Sequence, residues 1–172
     1  VIEVASQTKA HLNLYIDDEL YVTEITDGLK RYAERNFAEP RLVSDLASCM
    51  AKAPTKLMVW GDQKVIDEAH TLLTERIGPR CLITRSYKTL CEIGHPDTGK
   101  GNALKFLTGI LGLEQQETVA VGDGPNDADM LEWAGLGVAM DTAPEEVKAK
   151  AGWVARTTPQ DGLAELIDRL LA

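Results

Sequence analysis

The run Thr118-Val119-Ala120-Val121 is apolar on both faces and stops abruptly at Gly122-Asp123. A strand buried on both faces belongs inside a parallel sheet, because an antiparallel strand with one wet face alternates apolar and polar residues. The surrounding pattern agrees. A helix is expected from about Asn102 to Leu111 and another from about Asp127 to Ala134. A second apolar run, Leu136-Gly137-Val138-Ala139-Met140, follows, then a helix opening at Pro144 and a short strand, Trp153-Val154-Ala155. A last helix is expected from Gln160 to Leu171, with Leu163, Leu166, Ile167 and Leu170 on one face. Alternating helix and strand signals a parallel sheet with helical crossovers, so the second half reads as α/β.

The first half has a different rhythm. His11-Leu12-Asn13-Leu14-Tyr15-Ile16 alternates as a half-buried strand does, and Leu20-Tyr21-Val22-Thr23 reads as its hairpin partner across Asp17-Asp18-Glu19. Thr26 or Asp27 can cap a helix running to about Asn36; Pro40 falls in a loop and Ser44 starts a short helix. The strand Lys56-Leu57-Met58-Val59-Trp60 ends at Gly61-Asp62. Asp62 is expected to cap a helix whose apolar positions are Val65, Ile66, Ala69, Leu72 and Leu73, and Gly78-Pro79 to end it. Two strands follow, Cys81 to Thr84 and Thr89 to Ile93. This is an α+β pattern, and the boundary is expected near residues 86–92, giving domains 1–88 and 89–172.

Composition excludes several classes of partner. The 172 residues carry 18 basic and 27 acidic side chains, a formal net charge of -9, which argues against a nucleic-acid partner. No segment approaches the roughly 20 apolar residues that a membrane helix needs. Cys49, Cys81 and Cys91 are scattered outside any C-x-x-C pair and read as reduced thiols packed as small hydrophobes, in cytoplasm. His11, His70 and His95 lack metal-ligand spacing.

The chemistry gathers in the second half. Asp123 and Asp127 place two carboxylates four residues apart where the strand gives way to a helix. In open α/β sheets ligands bind at that end of the strands, and hard cations such as Mg²⁺ are held by carboxylate oxygens. Gly122 and Gly124 allow close backbone approach, and Asn126 adds an amide that can bond a phosphate oxygen. Acids at a turn also cap helices, and Asp129, inside the helix, is read that way. Two acids, an Asn and two Gly within Gly122–Asp127 exceed what capping requires. Gly99-Lys100-Gly101 opens a helix, so free N–H groups and a lysine charge can meet a phosphoryl group there.

These residues resemble a known family. Gly122-Asp123-Gly124-Pro125-Asn126-Asp127-Ala128-Asp129-Met130-Leu131, followed by Ala134-Gly135-Leu136-Gly137-Val138-Ala139-Met140, resembles the fourth motif of the haloacid dehalogenase-like (HAD) hydrolases, nearest to the Cof-type sugar-phosphate phosphatases. Cys91-Glu92-Ile93 and Gly99-Lys100-Gly101-Asn102-Ala103-Leu104 are similar to the subgroup's third motif, and Glu146-Val147-Lys148, Ala151 and Asp161-Gly162-Leu163 also fit. Residues 10–87 resemble the inserted cap in pattern alone. The resemblance implies part of a three-layer Rossmann-like core preceded by an α+β cap. It also implies phosphomonoester hydrolysis through an aspartyl-phosphate, with Mg²⁺ as cofactor and a small phosphorylated substrate. By the same analogy Asp123 and Asp127 serve the metal, Asp123 as a direct ligand and Asp127 by orienting the metal's waters or Lys100. Asp127 and Lys100 are catalytic, Lys100 balances charge on the nucleophile and phosphate, and Lys100 and Asn126 meet the phosphate or substrate.

The sequence departs from the family pattern in two places. The Asp-x-Asp that supplies the family's nucleophile is not found after a strand; Asp127-Ala128-Asp129 belongs to the fourth motif, and Asp17-Asp18-Glu19 to a hairpin. A preceding segment of roughly 80–100 residues is therefore expected, from typical domain size. Met140-Asp141-Thr142-Ala143 stands where the subgroup has Gly-Asn before the Ala. The chain alone is then expected to be inactive, a non-catalytic or complementing piece whose open sheet edge is covered by the missing segment or by self-association. A P-loop reading of Gly94-His95-Pro96-Asp97-Thr98-Gly99-Lys100-Gly101 is the rival, weakened because Gly101 lacks the hydroxyl that should hold Mg²⁺.

Overall fold

The hairpin is present in the computed structural model, which describes residues 1–156 and 162–171. Strands β1 (His11–Ile16) and β2 (Glu19–Val22) pair antiparallel, with Tyr15 opposite Leu20. Asp17 and Asp18 turn the chain at φ 51 and 64, left-handed positions that Asp tolerates and that a tight hairpin requires. A short strand, β3 (Pro40–Leu42), pairs parallel with β2 where the sequence suggested only a loop. Proline is acceptable there because it opens an edge strand. Strands β4 (Lys56–Trp60), β5 (Leu82–Tyr87) and β6 (Leu90–Gly94) complete a six-stranded sheet ordered β3-β2-β1-β4-β6-β5.

Three helices pack on this sheet: α1 (Ile2–Thr8), α2 (Asp27–Arg35) and α3 (Gln63–Ile77). The even-numbered residues of β1, Leu12, Leu14 and Ile16, join Val4 and Ala5 of α1 and Ile66, Ala69 and Leu73 of α3 in one core. The opposite face carries Leu20, Val22 and Leu29, flanked by Tyr15, Tyr32 and Trp60. Thr26 caps α2 as expected, its hydroxyl accepting from Leu29 N at 3.1 Å. Asp62 occupies the cap position of α3, but its side chain makes no capping bond. Helix α1 escaped the sequence reading because a helix this short shows little period.

Strand β6 pairs with β4 through Trp60 and Leu90, and with β5 through Ile83 and Ile93. The expected division between residues 88 and 89 would therefore cut this sheet. The compact units divide later, into Val1–Pro96 and Asp97–Ala172.

The second unit runs α4 (Lys100–Leu111), β7 (Val119–Gly122), α5 (Ala128–Trp133), β8 (Leu136–Met140), α6 (Glu145–Lys148), β9 (Trp153–Ala155) and α7 (Gly162–Leu171). Its strands are parallel and ordered β7-β8-β9. Ala120 and Ala139 face Leu131 and Val147 on one side, and Val138 and Ala155 face Leu166 on the other, so helices cover both faces in three layers. Gln160, the expected start of the last helix, and Asp161 lie outside the described residues. Of the apolar stripe expected on α7, Leu166 is buried while Leu163, Ile167 and Leu170 are exposed. Strand β7 is an edge, Val119 on it is 44% exposed, and Phe106 of α4 is 71% exposed. Among the described residues no helix is long and apolar enough to cross a membrane.

Candidate active site

The site forms where β7 ends. Gly122 closes the strand, and a 3₁₀ turn, Pro125–Asp127, leads directly into α5. Asp127 folds back under this turn and is 4% exposed. Its Oδ2 accepts from the backbone N–H of Asp123 at 3.0 Å and of Gly124 at 2.9 Å. Its Oδ1 accepts from the Lys100 ammonium, which projects from the first residue of α4. Gly122 makes this possible: a Cβ there would stand 2.4 Å from the Asp127 Cβ. Gly99 does the equivalent for Lys100, since it enters α4 at φ 136, a backbone angle that side-chain-bearing residues rarely adopt.

Electrostatics follow from these contacts. Burial alone pushes the Asp127 carboxyl up; the Lys100 ammonium and the Gly124 and Asp123 N–H groups outweigh it, and the carboxyl sits below its ordinary value of 3.8. Asp127 is thus ionised at neutral pH and fixes the lysine, whose side chain is 50% exposed, at the strand end.

Asp123 is arranged differently. Its side chain is exposed, and among the described residues its carboxylate meets no protein donor. Asn126 is half-buried, with its Oδ1 folded toward Gly124, where a Cβ would meet it at 2.5 Å. The structure therefore brings Asp123, Asn126, Asp127 and Lys100 to one strand end within the second unit. Of the two carboxylates expected to serve a metal, Asp123 alone has oxygens not already taken by protein donors.

The donor set fits Mg²⁺ on limited terms. Mg²⁺ keeps several waters and needs only one or two carboxylates plus substrate phosphate, so Asp123 suffices as this chain's share. No group of three or more His, Cys, Asp or Glu side chains suited to a metal occurs among the described residues. A full protein cage is absent from these residues.

Asp129 has a role that the sequence did not show. Its Oδ1 accepts from Met130 N of its own helix at 2.9 Å, as a capping residue should, and its Oδ2 also accepts from Gly101 N at the start of α4 at 3.0 Å. A contact between residues so far apart in sequence leaves no local signature. It also weakens the P-loop reading, because a backbone N–H that would cradle phosphate is already engaged.

The model of the haloacid dehalogenase-like hydrolase family matches residues 1–167. A Haemophilus influenzae protein bearing a phosphatase name is 40% identical over 157 residues, 91% of this chain and 59% of that protein. The 5-amino-6-(5-phospho-D-ribitylamino)uracil phosphatase YwtE of Bacillus subtilis is 43% identical over 89 residues, 52% of this chain and 31% of that protein. A crystal structure of a haloacid dehalogenase-like hydrolase from Bacteroides thetaiotaomicron superposes with a TM-score of 0.79 at 28% identity, covering 98% of this chain and 64% of that one. The chain belongs to the haloacid dehalogenase-like hydrolases, and its motifs align it with their Cof-type branch. It spans 59% of the Haemophilus protein and 64% of the Bacteroides chain.

Proposed function

We propose that these residues form the metal- and phosphate-binding part of a Mg²⁺-dependent phosphomonoester hydrolase acting on a small phosphorylated substrate, sugar phosphates being the favoured class. The observation that carries this is the buried Asp127 bracing Lys100 beside an exposed Asp123 that meets no protein donor among the described residues. Asp123 would hold the metal, and bound Mg²⁺ supplies charge neutralisation to a phosphoryl group. Lys100 adds a fixed positive charge for the same phosphoryl oxygens, in a site where positioned charges count for more than in water. Asp127 keeps that lysine in place, and Asn126 offers its amide to the phosphate or to the substrate.

The nucleophile in this reading is an aspartate on a segment outside these residues, which attacks phosphorus and releases the alcohol. Water then hydrolyses the aspartyl-phosphate. Support comes from the missing strand-ending Asp-x-Asp and from relatives of which the chain covers 59% and 64%. The 172 residues alone are then an incomplete catalyst, and the open edge of β7 pairs with that segment or with a second copy. A cytoplasmic location belongs to the same reading, as all three cysteines are free thiols.

The test is phosphate release from p-nitrophenyl phosphate with and without Mg²⁺. The 172-residue chain is expected to match buffer, whereas a longer polypeptide containing it turns over in Mg²⁺ and loses that activity in Asp123→Asn. Robust turnover by the short chain, or a long chain indifferent to Asp123→Asn, would overturn the proposal.

A further inference from the structure

The first unit contains a cavity of about 550 Å³ between α2 and the sheet face that carries Asn13, Met58 and Trp60. That volume lies within the roughly 300–1,000 Å³ of small-molecule sites. Its wall places Arg31 and Arg35 of α2 beside the rings of Tyr32, Trp60 and Tyr87. The two arginines stand one helical turn apart and share a face. Among the described residues neither guanidinium has an ion-pair or hydrogen-bond partner, whereas Lys30 on the same helix is paired with Asp27. Among the described residues no carboxylate lines the cavity, although the chain as a whole has 27 acidic and 18 basic residues.

The floor shows an independent sign of polar recognition. Asn13 is 2% exposed, and its Oδ1 accepts from Trp60 Nε1 at 3.3 Å. That bond fixes the amide and leaves Nδ2 buried without a partner. A buried donor left unmatched costs about 1–3 kcal/mol, so its retention calls for a reason. Trp60 is itself held rigid, stacked on His11 with ring centroids 4.4 Å apart. A Cβ on Gly28 would meet the Trp60 ring at 2.9 Å, so α2 lies directly against it.

We propose that this cavity is a binding site for a small molecule that joins a planar ring to an oxyanion, phosphate or carboxylate. The guanidinium forks of Arg31 and Arg35 match a planar or tetrahedral oxyanion, and the rings of Trp60 and Tyr32 take the flat body. The proposal concerns the first unit alone and stands whatever chemistry the second unit performs.

The experiment follows the indole N–H resonance of Trp60, assigned with Trp60→Phe, as the full chain is titrated with benzylphosphonate, benzoate, inorganic phosphate and benzyl alcohol. Benzylphosphonate or benzoate is expected to shift the resonance saturably, and the tighter of the two identifies the oxyanion. Benzyl alcohol and inorganic phosphate, each carrying half of the ligand chemistry, are expected to bind at least about tenfold more weakly. The Arg31→Ala/Arg35→Ala variant, altered only at exposed positions, is expected to weaken binding tenfold or more, and Lys100→Ala to leave it unchanged. An unmoved Trp60 resonance, equal binding of benzyl alcohol, or wild-type affinity in the double arginine variant would overturn the proposal.

Discussion

Replacing Asp127 by Asn removes one charge and keeps the shape, so it isolates what the buried carboxylate contributes. The carboxylate accepts from Lys100 on one oxygen and from Asp123 N and Gly124 N on the other. An Asn can keep the two backbone bonds only as neutral ones, a loss of about 1 kcal/mol each, since bonds to charged acceptors are roughly twice as strong. Its amide nitrogen then faces the Lys100 ammonium, donor against donor, and goes unmatched for about another 1 kcal/mol. The lysine is half exposed and escapes to water, so the broken ion pair adds less than about 1 kcal/mol. The expected total is about 3 kcal/mol. Urea unfolding followed by Trp133 and Trp153 in a Trp60→Phe background should show the midpoint falling by about 1–2 M, for an m-value of about 1.5–3 kcal/mol/M. The loss should depend on pH in one direction. Asp127 has a folded value below its ordinary 3.8, so its stabilisation is complete above that pH and disappears as pH falls through the folded value. Wild type and variant should converge in acid. A neutral-pH difference under about 0.5 kcal/mol, or a gap that widens in acid, would refute the bracing role.

Other consequences follow from the same contacts. Gly122→Ala forces a Cβ to within 2.4 Å of the Asp127 Cβ and should cost about 1–3 kcal/mol in the same urea assay. Asp123→Asn alters an exposed side chain that meets no protein donor among the described residues and should change stability by less than about 0.5 kcal/mol while removing metal binding measured by calorimetry. The open edge of β7 and the exposed Phe106 and Ile110 of α4 should drive self-association of the chain, seen as concentration-dependent mass in sedimentation and reduced by Phe106→Glu. A strictly monomeric chain at high concentration would count against that surface.

The second unit was largely legible because its signals are local. The apolar runs of β7 and β8 and the Gly122–Asp127 loop each announce themselves within a few residues. Long-range pairing set what was missed. β6 reads as a strand on its own, but nothing local says that it pairs with β4 and so draws the boundary back to Pro96. β3 is short and opens with proline, which hides it from propensity. At the site, the family resemblance pointed to Asp123, Asn126, Asp127 and Lys100 and left Asp127 to orient either the metal's waters or Lys100; the structure sets Asp127 against Lys100. Burial of Asp127 and its three donors, a tertiary outcome, make it the brace and leave Asp123 as the carboxylate proposed for the metal. The cavity bearing Arg31 and Arg35 was invisible for the same reason, because an arginine pair on an exposed helix looks like ordinary solvation.

In the proposed function the loop at Gly122–Asp127 takes a metal through Asp123. Paramagnetic broadening of amide resonances by millimolar Mn²⁺, used as a stand-in for Mg²⁺, tests it most directly. Broadening is expected to centre on Asp123 and Gly124, to extend to Lys100, and to be abolished by Asp123→Asn while the fold is retained. Broadening centred elsewhere, or unchanged in Asp123→Asn, would contradict it.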